Sequence, residues 1–324
     1  MPNTALPPLI VLVGPTAVGK TAAAIALAPS FGGEVVNADS RYLYRGFDIG
    51  TAKPSLAERA GIPHHLIDIL APAGPMSLAV YQDRANAAIA DVIHRGKLPF
   101  LVGGTPQYVN AVVEGWRIPR VPPNSALRHE LEREVGANGV MPLLRRLETV
   151  DPVAAAKIGP NPRRIIRALE VYAATGEPIS AQQGKGPAPY DALELWLSLP
   201  RAELYARIDR RVDEQLAHGL LAEIRGLLAA GVPSDAPAMT SLGYRQSLPA
   251  LAGEATLAET SSSIKTATHR FVRHQETWFK RNPRLERIDV AGPDWLDGLA
   301  GRIRRFLSER AGAVEPAGEG SGNV

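Results

Sequence analysis

Cysteine is absent from this chain of 324 residues. Without a thiol, the protein can form no disulfide, no Cys-ligated zinc site and no cysteine nucleophile. The net charge of +3 is small and by itself says little about partners. No apolar run reaches the length that spans a bilayer, and residues 1–8 lack the basic and apolar regions of a signal peptide. We therefore expect a cytoplasmic protein that does not contact a membrane.

A glycine-rich segment near the start of the sequence follows an apolar stretch. Residues 9–13 read Leu-Ile-Val-Leu-Val, residues 14–21 read Gly-Pro-Thr-Ala-Val-Gly-Lys-Thr, and an alanine-rich helical pattern comes next. This order is typical of a P-loop, in which backbone N–H groups and a helix N-terminus bind phosphate. Lys20 would add a charge for an outer phosphate, and the Thr21 hydroxyl would bind Mg2+. The predicted phosphate-binding residues are Gly14, Pro15, Thr16, Ala17, Val18, Gly19, Lys20 and Thr21.

Predicted strands and helices alternate along much of the chain. The strands are 9–13, 34–39, 65–69, 98–102, 193–197 and 285–290. The helices are 21–28, 78–94, 202–230 and 261–280, with a last one ending near Arg310. This alternation predicts an α/β fold with a doubly wound parallel sheet. Prolines interrupt helical patterns over 116–190, which we interpret as a helical insertion domain in a core of residues 1–115 and 191–310, followed by a disordered tail at 311–324.

Two polar residues stand where predicted strands end. Asp39 closes the strand after the P-loop, and Thr105 closes a Gly-Gly-Thr turn after the strand at 98–102. The carboxyl ends of parallel strands form the ligand crevice, so we expect both side chains near the phosphate. Asp39 is a candidate general base, although its position also fits a Mg2+ ligand or a helix cap. The Thr105 hydroxyl would donate to a phosphate oxygen, or the turn would be an ordinary β-turn.

Basic residues occur in several clusters. Arg207 and Arg211 lie about one helical turn apart and would stabilise a leaving diphosphate, or they would belong to a solvated surface. Residues 160–167 form a second cluster at a predicted helix N-terminus. Residues 265–287 carry seven Lys or Arg against two Glu, with aromatic residues between them. The last two clusters suit a nucleic-acid backbone, but each also fits an ordinary solvated face.

Several longer motifs resemble one known family. They are the P-loop, Asp39–Pro54 (DSRYLYRGFDIGTAKP), Pro63–Ile69 (PHHLIDI), Gly103–Thr105, Arg163–Tyr172 (RRIIRALEVY), Thr175–Pro178 (TGEP) and Ser241–Arg245 (SLGYR). In this order, and spread over most of the chain, they closely resemble the bacterial tRNA dimethylallyltransferases. The resemblance implies a P-loop transferase core like that of nucleotide kinases, with a helical insertion that closes on the anticodon arm of tRNA.

The resemblance also implies a reaction and its residues. The family transfers the dimethylallyl group of dimethylallyl diphosphate to N6 of the adenosine 3′ to the anticodon, in tRNAs that read codons beginning with U. Mg2+ assists, diphosphate leaves, and we expect a monomer. The implied catalytic residues are Asp39 as the base, Thr105 at the diphosphate bridge, Lys20, Arg207 and Arg211. The implied tRNA-binding residues are Asp39, Ser40, Arg41, Tyr42, Thr105, Arg128, Arg163, Arg164, Ile165, Ile166, Arg167, Gly243, Tyr244 and Arg245.

Two places depart from the family pattern. Pro106 and Gln107 follow the Gly-Gly-Thr turn where the family usually has Gly-Leu, and Tyr42 stands where Gln is frequent. Pro106 removes a backbone N–H, from which we expect a local change without loss of activity. From the motifs alone, two other functions stay open. A small-molecule kinase would use the same loop for ATP, and an RNA-binding NTPase switch would leave Asp39 without a role.

Overall fold

The computed structural model describes residues 6–314, and contacts between residues divide the chain into two compact units. One unit extends up to Val113 and resumes at Pro189, and the other is Glu114–Ala188. The strands are β1 (Pro8–Val13), β2 (Gly33–Asn37), β3 (His64–His65), β4 (Leu98–Gly103), β5 (Trp116–Arg117), β6 (Gly184–Lys185), β7 (Asp191–Ser198) and β8 (Glu286–Asp289). The helices are α1 (Lys20–Leu27), α2 (Leu78–His94), α3 (Pro106–Val113), α4 (Ser125–Asn138), α5 (Met141–Val150), α6 (Pro152–Ile158), α7 (Pro162–Thr175), α8 (Ile179–Gln182), α9 (Arg201–Ala217), α10 (Leu220–Ala229), α11 (Tyr244–Leu251), α12 (Leu257–Phe279) and α13 (Trp295–Val314).

The first unit contains a six-stranded sheet in the order β3-β2-β4-β1-β7-β8, in which every neighbouring pair is parallel. Its central strand β1 is buried on both faces. Ile10 and Leu12 pack into one hydrophobic cluster, whereas Leu9, Val11 and Val13 pack into another. Alternate residues of a strand face opposite sides, so an unbroken apolar run suits a strand covered by helices on both sides. The predicted doubly wound parallel sheet is confirmed.

The strand order brings the predicted site segments to one edge of the sheet. The P-loop follows β1, Asp39 lies two residues beyond β2, and Gly104 and Thr105 follow β4. Because β4 lies between β1 and β2, these three segments leave the sheet side by side. The carboxyl edge of such a sheet is where α/β proteins bind ligands.

The predicted strand at 65–69 is wrong beyond His65. Leu66 and Asp68 have φ values of 61° and 58°, which a strand cannot accommodate. Polar contacts fix this bend instead. The Leu66 carbonyl accepts a hydrogen bond from Asn37 at 2.9 Å, and the Asp68 carboxylate accepts one from Lys53 at 2.5 Å.

The predicted helix at 202–230 is in fact two helices, α9 and α10. Gly219 lies between them with a φ of 96°, in a region that favours glycine and interrupts a helix. Helix α12 begins earlier than the predicted residue 261. Its first turn is stabilised by a capping box, in which Thr256 and Glu259 each accept from the other's backbone N–H.

The second unit, Glu114–Ala188, contains helices α4 to α8 and the short antiparallel pair β5–β6. Its core is a separate hydrophobic cluster that includes Leu131, Leu143 and Ile165. The bounds at Glu114 and Ala188 lie two residues before the predicted bounds of 116 and 190.

The C-terminal helix is longer than the sequence predicted. Helix α13 runs to Val314, so the first residues of the predicted tail at 311–324 are helical. The remainder of that tail lies outside the described residues. Among residues 6–314, no helix combines the length and the apolar composition that a membrane span requires.

Candidate active site

A cavity of about 780 Å³ opens at the carboxyl edge of the sheet in the first unit. Lys20, Thr21, Asp39, Tyr42 and Arg211 are among the residues that line it. They come from the P-loop, from the segment after β2 and from α9. The phosphate loop, the candidate base and one of the two predicted arginines therefore share one space.

The P-loop requires glycine at two positions. Gly14 has a φ of 154°, and a Cβ there would come within 2.5 Å of the Leu197 carbonyl oxygen on β7. Gly19 has a φ of 104° and precedes α1 without offering a side chain that caps it. The first N–H groups of α1 are thus left for another acceptor, and the helix dipole favours an anion there.

The Lys20 ammonium folds back onto its own loop, where Nζ donates to the Pro15 carbonyl at 2.8 Å. Burial lowers the pKa of Lys20 to about 8. The negative charge of Asp39 opposes this change, and the positive charge of Arg211 adds to it. The charges of Asp39 and Arg211 therefore both act on the Lys20 ammonium. A diphosphate in the cavity would favour the protonated form of Lys20.

Asp39 is held in a local turn just beyond β2. Its backbone N–H donates to Asn37 Oδ1 at 2.8 Å, and its carbonyl accepts from Asn37 Nδ2 at 2.9 Å. Its own carboxylate accepts from the Arg41 N–H at 2.9 Å. One carboxylate oxygen therefore stabilises the turn, while the group as a whole lines the cavity. This geometry fits a proton acceptor with a fixed position.

The Gly103-Gly104-Thr105 segment packs tightly against the end of β2. A Cβ on Gly103 would come within 2.1 Å of the Ala38 carbonyl carbon, so only glycine fits. The Thr105 N–H donates to the Ala38 carbonyl at 3.2 Å, and Thr105 Oγ1 accepts from the Ser40 N–H at 3.0 Å. Helix α3 begins at the next residue, Pro106, where a missing N–H costs no intrahelical bond.

Gln275 on α12 is a site residue that the sequence analysis missed. Its side chain accepts from the Thr16 N–H at 3.0 Å and donates to the Gly104 carbonyl at 2.6 Å. Gln275 lies in the basic segment 265–287, which the sequence analysis interprets from its charged and aromatic residues. A polar residue at a buried position of an amphipathic helix is the only signal that could have identified it.

A loop from Tyr42 to Pro54 forms another part of the cavity wall. The Tyr42 hydroxyl donates to the Ala52 carbonyl at 2.8 Å. Burial, followed by the charge of Asp39, raises the pKa of Tyr42 to about 12, so the phenol is neutral at physiological pH. Lys53 is buried, and its ammonium contacts the carboxylates of Asp48 and Asp68 at 2.7 and 2.5 Å. The sequence analysis assigned no role to Lys53.

Glu223 on α10 holds the same loop from the other side. Its Oε2 accepts from the backbone N–H groups of Asp48 and Ile49 at 3.1 and 2.9 Å. Its Oε1 accepts from the Tyr244 hydroxyl at 2.5 Å. Tyr244 is fully buried and also blocks any side chain at Gly50, where a Cβ would come within 2.4 Å of its ring.

The two predicted arginines of α9 differ in position. Arg211 lines the cavity and influences the pKa values of Lys20 and Tyr42. Arg207 is exposed and is not among the residues that line it. The structure thus brings Arg211 to the other candidate residues, but not Arg207.

In the second unit, the predicted tRNA-binding residues differ in exposure and in their contacts. Arg128 and Arg167 contact the buried carboxylate of Glu170 at 2.8 and 2.5 Å. Burial raises the pKa of Glu170, but hydrogen bonds from Arg128, the Asn124 N–H and Arg167 outweigh it and lower the value to about 2. The predicted tRNA-binding residues Ile165 and Ile166 belong to the core, so their side chains cannot face RNA. Arg163 and Arg164 are exposed at the start of α7.

The remaining predicted tRNA-binding residues lie in the first unit. Arg41 Nη1 donates to the Pro237 carbonyl and to Thr240 Oγ1, both at 3.2 Å. Gly243 precedes α11 with a φ of 87°, and Arg245 is exposed in the first turn of that helix. Tyr244 is buried as described above, so its side chain is part of the core.

The basic segment 265–287 is partly neutralised. Lys265 contacts the Asp213 carboxylate at 2.7 Å, and Arg284 contacts the buried Glu194 at 2.6 Å. Arg270 and Arg281 are exposed without a carboxylate partner among residues 6–314. Among the described residues of this segment, exposed cations without a carboxylate partner therefore remain on the outward face of α12, just after its end, and at Arg287 on β8.

The arrangement of loop, carboxylate and sheet can be compared with known proteins. The family model for IPP transferase matches residues 42–282, which is most of the chain. The chain belongs to the IPP transferase family. Among IPP transferase relatives, the tRNA dimethylallyltransferase of Thermomicrobium roseum is 53% identical over 316 residues, which are 97% of this chain and 96% of the relative. That of a Roseiflexus species is 53% identical over 301 residues, 93% of this chain and 99% of the relative.

Solved IPP transferase structures share the fold. The tRNA isopentenylpyrophosphate transferase of Bacillus halodurans matches with a TM-score of 0.71 and 39% identity, over 94% of this chain and 98% of that one. A eukaryotic dimethylallyltransferase acting on tRNA matches with a TM-score of 0.79 and 28% identity, over 97% of this chain and 81% of that one. The P-loop α/β fold of this IPP transferase is therefore shared by its solved relatives.

Proposed function

We propose that this protein transfers the dimethylallyl group of dimethylallyl diphosphate to N6 of the adenosine 3′ to the anticodon, in tRNAs that read codons beginning with U. The observation that carries this proposal is the shared cavity. A loop suited to a diphosphate, with Lys20, and a carboxylate suited to accept a proton, Asp39, line the same space. Relatives that are more than half identical to this chain are named tRNA dimethylallyltransferases, which supports transfer of this group to tRNA.

The proposed reaction joins the adenine nitrogen to the first carbon of the dimethylallyl group. The carbon–oxygen bond to the diphosphate breaks, and its electron pair leaves with the diphosphate. An exocyclic adenine amine is a poor nucleophile because its lone pair is delocalised into the ring. Proton removal from N6 therefore has to accompany attack, and Asp39 would accept that proton. The fixed turn around Asp39 suits this role, since it limits motion of the carboxylate.

Stabilisation of the leaving diphosphate would come from several groups that line the cavity. The N–H groups at the start of α1, the Lys20 ammonium and the Arg211 guanidinium are all positive. Thr105 is not among the residues that line the cavity, and its hydroxyl donates to Ser40 Oγ at 3.3 Å. It would have to turn away from Ser40 to donate to the bridging oxygen. Charge that develops on the leaving oxygen would then meet donors already in place, which is where such donors accelerate a reaction.

Thr21 would hold a Mg2+ ion at the same place. A hydroxyl oxygen suits this hard cation, and the residue lines the cavity beside the P-loop lysine. Among residues 6–314, no group of three or more acidic or histidine side chains could hold a metal ion. The other ligands would therefore come from diphosphate and water, as is usual for Mg2+ at phosphate sites. Bound there, Mg2+ would neutralise charge on the leaving group.

The anticodon arm of tRNA would be bound by exposed cations. Arg163 and Arg164 in the second unit, with Arg245 and Arg270 in the first, are exposed and suit phosphate contacts. The adenosine would have to leave its stack to reach a donor in the cavity, at a cost of a few kcal/mol. Contacts to the tRNA backbone would offset that cost. We further propose that the protein is cytoplasmic and monomeric. Sedimentation with and without tRNA would check the monomeric state.

Mass spectrometry of the tRNA would test the proposed function. The protein incubated with unmodified tRNA, dimethylallyl diphosphate and Mg2+ should yield one dimethylallyl adduct on the adenosine 3′ to the anticodon, with release of diphosphate. An unchanged adenosine would reject the proposed transfer. Consumption of ATP with phosphorylation of a small acceptor would favour a kinase instead.

Substitution of Asp39 would test the mechanism. Asp39→Asn keeps an oxygen that accepts from the Arg41 N–H, so the turn should persist while the base is lost. We expect the rate of transfer to fall about 10²–10⁴-fold with tRNA binding retained. A full rate in Asp39→Asn would show that the carboxylate does not remove the proton. Equal binding and equal function in this variant would instead favour an RNA-binding switch.

A further inference from the structure

One buried polar side chain that bonds to a residue of the cavity wall has no part in the reaction as described. Gln275 on α12 is only 4% exposed. Its Oε1 accepts from the Thr16 N–H at 3.0 Å, and its Nε2 donates to the Gly104 carbonyl at 2.6 Å. A single amide group therefore connects the loop that would hold the diphosphate with the turn that carries Thr105.

The space around Gly104 matches this contact. A Cβ on Gly104 would come within 2.7 Å of Gln275 Nε2, and its distance from Lys20 Nζ would be 3.6 Å. Glycine at this position thus allows the amide to approach the turn next to the Lys20 ammonium. Gln275 already uses the Thr16 N–H, and the Val18 N–H donates to the Pro15 carbonyl at 3.4 Å. The N–H groups left for a diphosphate are therefore the others that follow Thr16 in the P-loop.

The partners of Gln275 belong to two different segments of the proposed active site. Thr16 belongs to the P-loop, which would hold the leaving group. Gly104 precedes Thr105, which bonds to Ser40 next to the candidate base Asp39. Breaking the two bonds would leave a partly buried N–H and a buried carbonyl without partners, and both segments would shift to restore them.

We propose that Gln275 is a positioning residue for dimethylallyl transfer, fixing the P-loop relative to the turn that carries Thr105. This inference rests on the proposed function. A displacement of about 1 Å between reacting groups can reduce a rate about 10²-fold, even when each group is intact. Gln275 would act in this way through Thr16 and Gly104, without touching either substrate.

Gln275→Met tests the role, because methionine has a similar length and volume but makes neither hydrogen bond. We expect kcat to fall on the order of 10²-fold at saturating tRNA and donor, while the KM for dimethylallyl diphosphate changes much less. Gln82→Met is the matched control. Gln82 is also 4% exposed on a helix, and it donates to the Ala111 carbonyl at 2.6 Å.

The control separates positioning from stability. Both variants should unfold at lower temperature than the unaltered protein, but only Gln275→Met should lose kcat. An unchanged kcat in Gln275→Met, with the same loss of thermal stability as Gln82→Met, would reduce Gln275 to a core residue and overturn the proposal.

Amide hydrogen exchange in the unaltered protein tests the same contact without a substitution. The Thr16 N–H should exchange slowly even though it lies in a loop, and the N–H of Ala17 should exchange faster. Rapid exchange at Thr16 would overturn the proposal even if Gln275→Met fails to fold. Failure of the proposed function gives a different result, because the unaltered protein would then show a protected Thr16 N–H but no dimethylallyl adduct on tRNA.

Discussion

The two units place their candidate functional residues by opposite means. In the first unit the site depends on backbone atoms in close approach, with Gly14 against Leu197 and Gly103 against Ala38. In the second unit two of the four predicted tRNA-binding arginines, Arg128 and Arg167, depend on a side chain, the buried carboxylate of Glu170. Glycines in and between the helices of the second unit have open space instead, since a Cβ on Gly136, Gly139, Gly159 or Gly176 would meet no atom within 4 Å.

This difference teaches what each unit tolerates. A phosphate-binding loop positions backbone N–H groups, which every residue except proline carries, so it is constrained by the volume of side chains more than by their chemistry. A surface that binds a nucleic-acid backbone positions cations, so it is constrained by what holds their guanidinium groups. We therefore expect added side-chain volume to be most harmful in the first unit, and loss of a charged partner to be most harmful in the second.

The largest effect should come from adding one methyl group to the first unit. In Gly103→Ala the Cβ would meet main-chain atoms of Ala38 at 2.1 to 2.7 Å, and backbone cannot yield as a flexible side chain can. We expect a loss of more than about 4 kcal/mol in the free energy of unfolding, measured by urea denaturation, together with loss of transfer.

The matched change in the second unit is Gly136→Ala. A Cβ on Gly136 meets no atom within 4 Å, and the residue lies within α4. Alanine there should stabilise the protein by about 0.5–1 kcal/mol. Similar losses in both variants would contradict the comparison between the units.

The next largest effect should be seen in Glu170→Gln. Removing the charge leaves Arg128 and Arg167 without their buried partner, which typically costs about 3–5 kcal/mol. The pKa of Glu170 is lowered to about 2, so its contribution is fully present above its ordinary pKa near 4.5 and is lost as the pH falls toward 2. Denaturation at pH 7 and at pH 3 should show a smaller difference between variant and unaltered protein at pH 3.

An exposed acid of the same unit provides the control for that experiment. Glu148 is exposed on α5. Glu148→Gln should change the free energy of unfolding by no more than about 0.5 kcal/mol at either pH. If Glu170→Gln were equally mild, the carboxylate would not be what holds Arg128 and Arg167 in place.

A smaller effect should distinguish the two arginines of α9. Arg211→Ala removes a cation that lines the cavity, and we expect kcat to fall about 10²–10³-fold, as when one transition-state donor is removed. Arg207→Ala removes an exposed cation outside the cavity wall, so its kcat should stay within a fewfold of the unaltered protein. Equal losses in steady-state assays would return Arg207 to the catalytic residues that its spacing first suggested.

The smallest effect concerns the protonation of Lys20. Because the pKa of Lys20 is lowered to about 8, the free enzyme loses this positive charge as the pH rises through 8. The profile of kcat/KM for dimethylallyl diphosphate should therefore fall by about tenfold for each pH unit well above 8. Lys20→Arg, which stays charged throughout, should be slower but should lack this decline. A decline that persists in Lys20→Arg would have to come from another group.

Local patterns were enough to predict the centre of the site. The P-loop, Asp39 and Thr105 each follow a recognisable strand, and the rule that parallel strands share a carboxyl edge brings them together without further information. Gln275 could not be found in this way, because its contact with Thr16 spans 259 positions and a buried glutamine names neither of its partners. The role of Glu170 was missed although Arg167 lies only three residues before it, because its burial and its contact with Arg128, 42 positions away, depend on tertiary packing.

Motifs were less informative about which residues face outward. Ile165 and Ile166 lie inside the basic motif of α7, yet helical periodicity puts them in the core while Arg163 and Arg164 stay exposed. The bend at Leu66 and Asp68 was missed because its cause is an ion pair with Lys53 rather than a glycine or proline. Positive φ at such residues depends on tertiary contacts that no local pattern encodes.

The carboxylate of Glu223 has a consequence for synthesis of the protein on the ribosome. It receives the N–H groups of Asp48 and Ile49, yet it is translated long after them. A nascent chain that has not reached Glu223 and Tyr244 therefore carries the phosphate loop but lacks the anchor for one wall of the cavity. We expect binding of the proposed allylic donor to begin only after Tyr244 has been synthesised, so this ligand would not aid earlier folding.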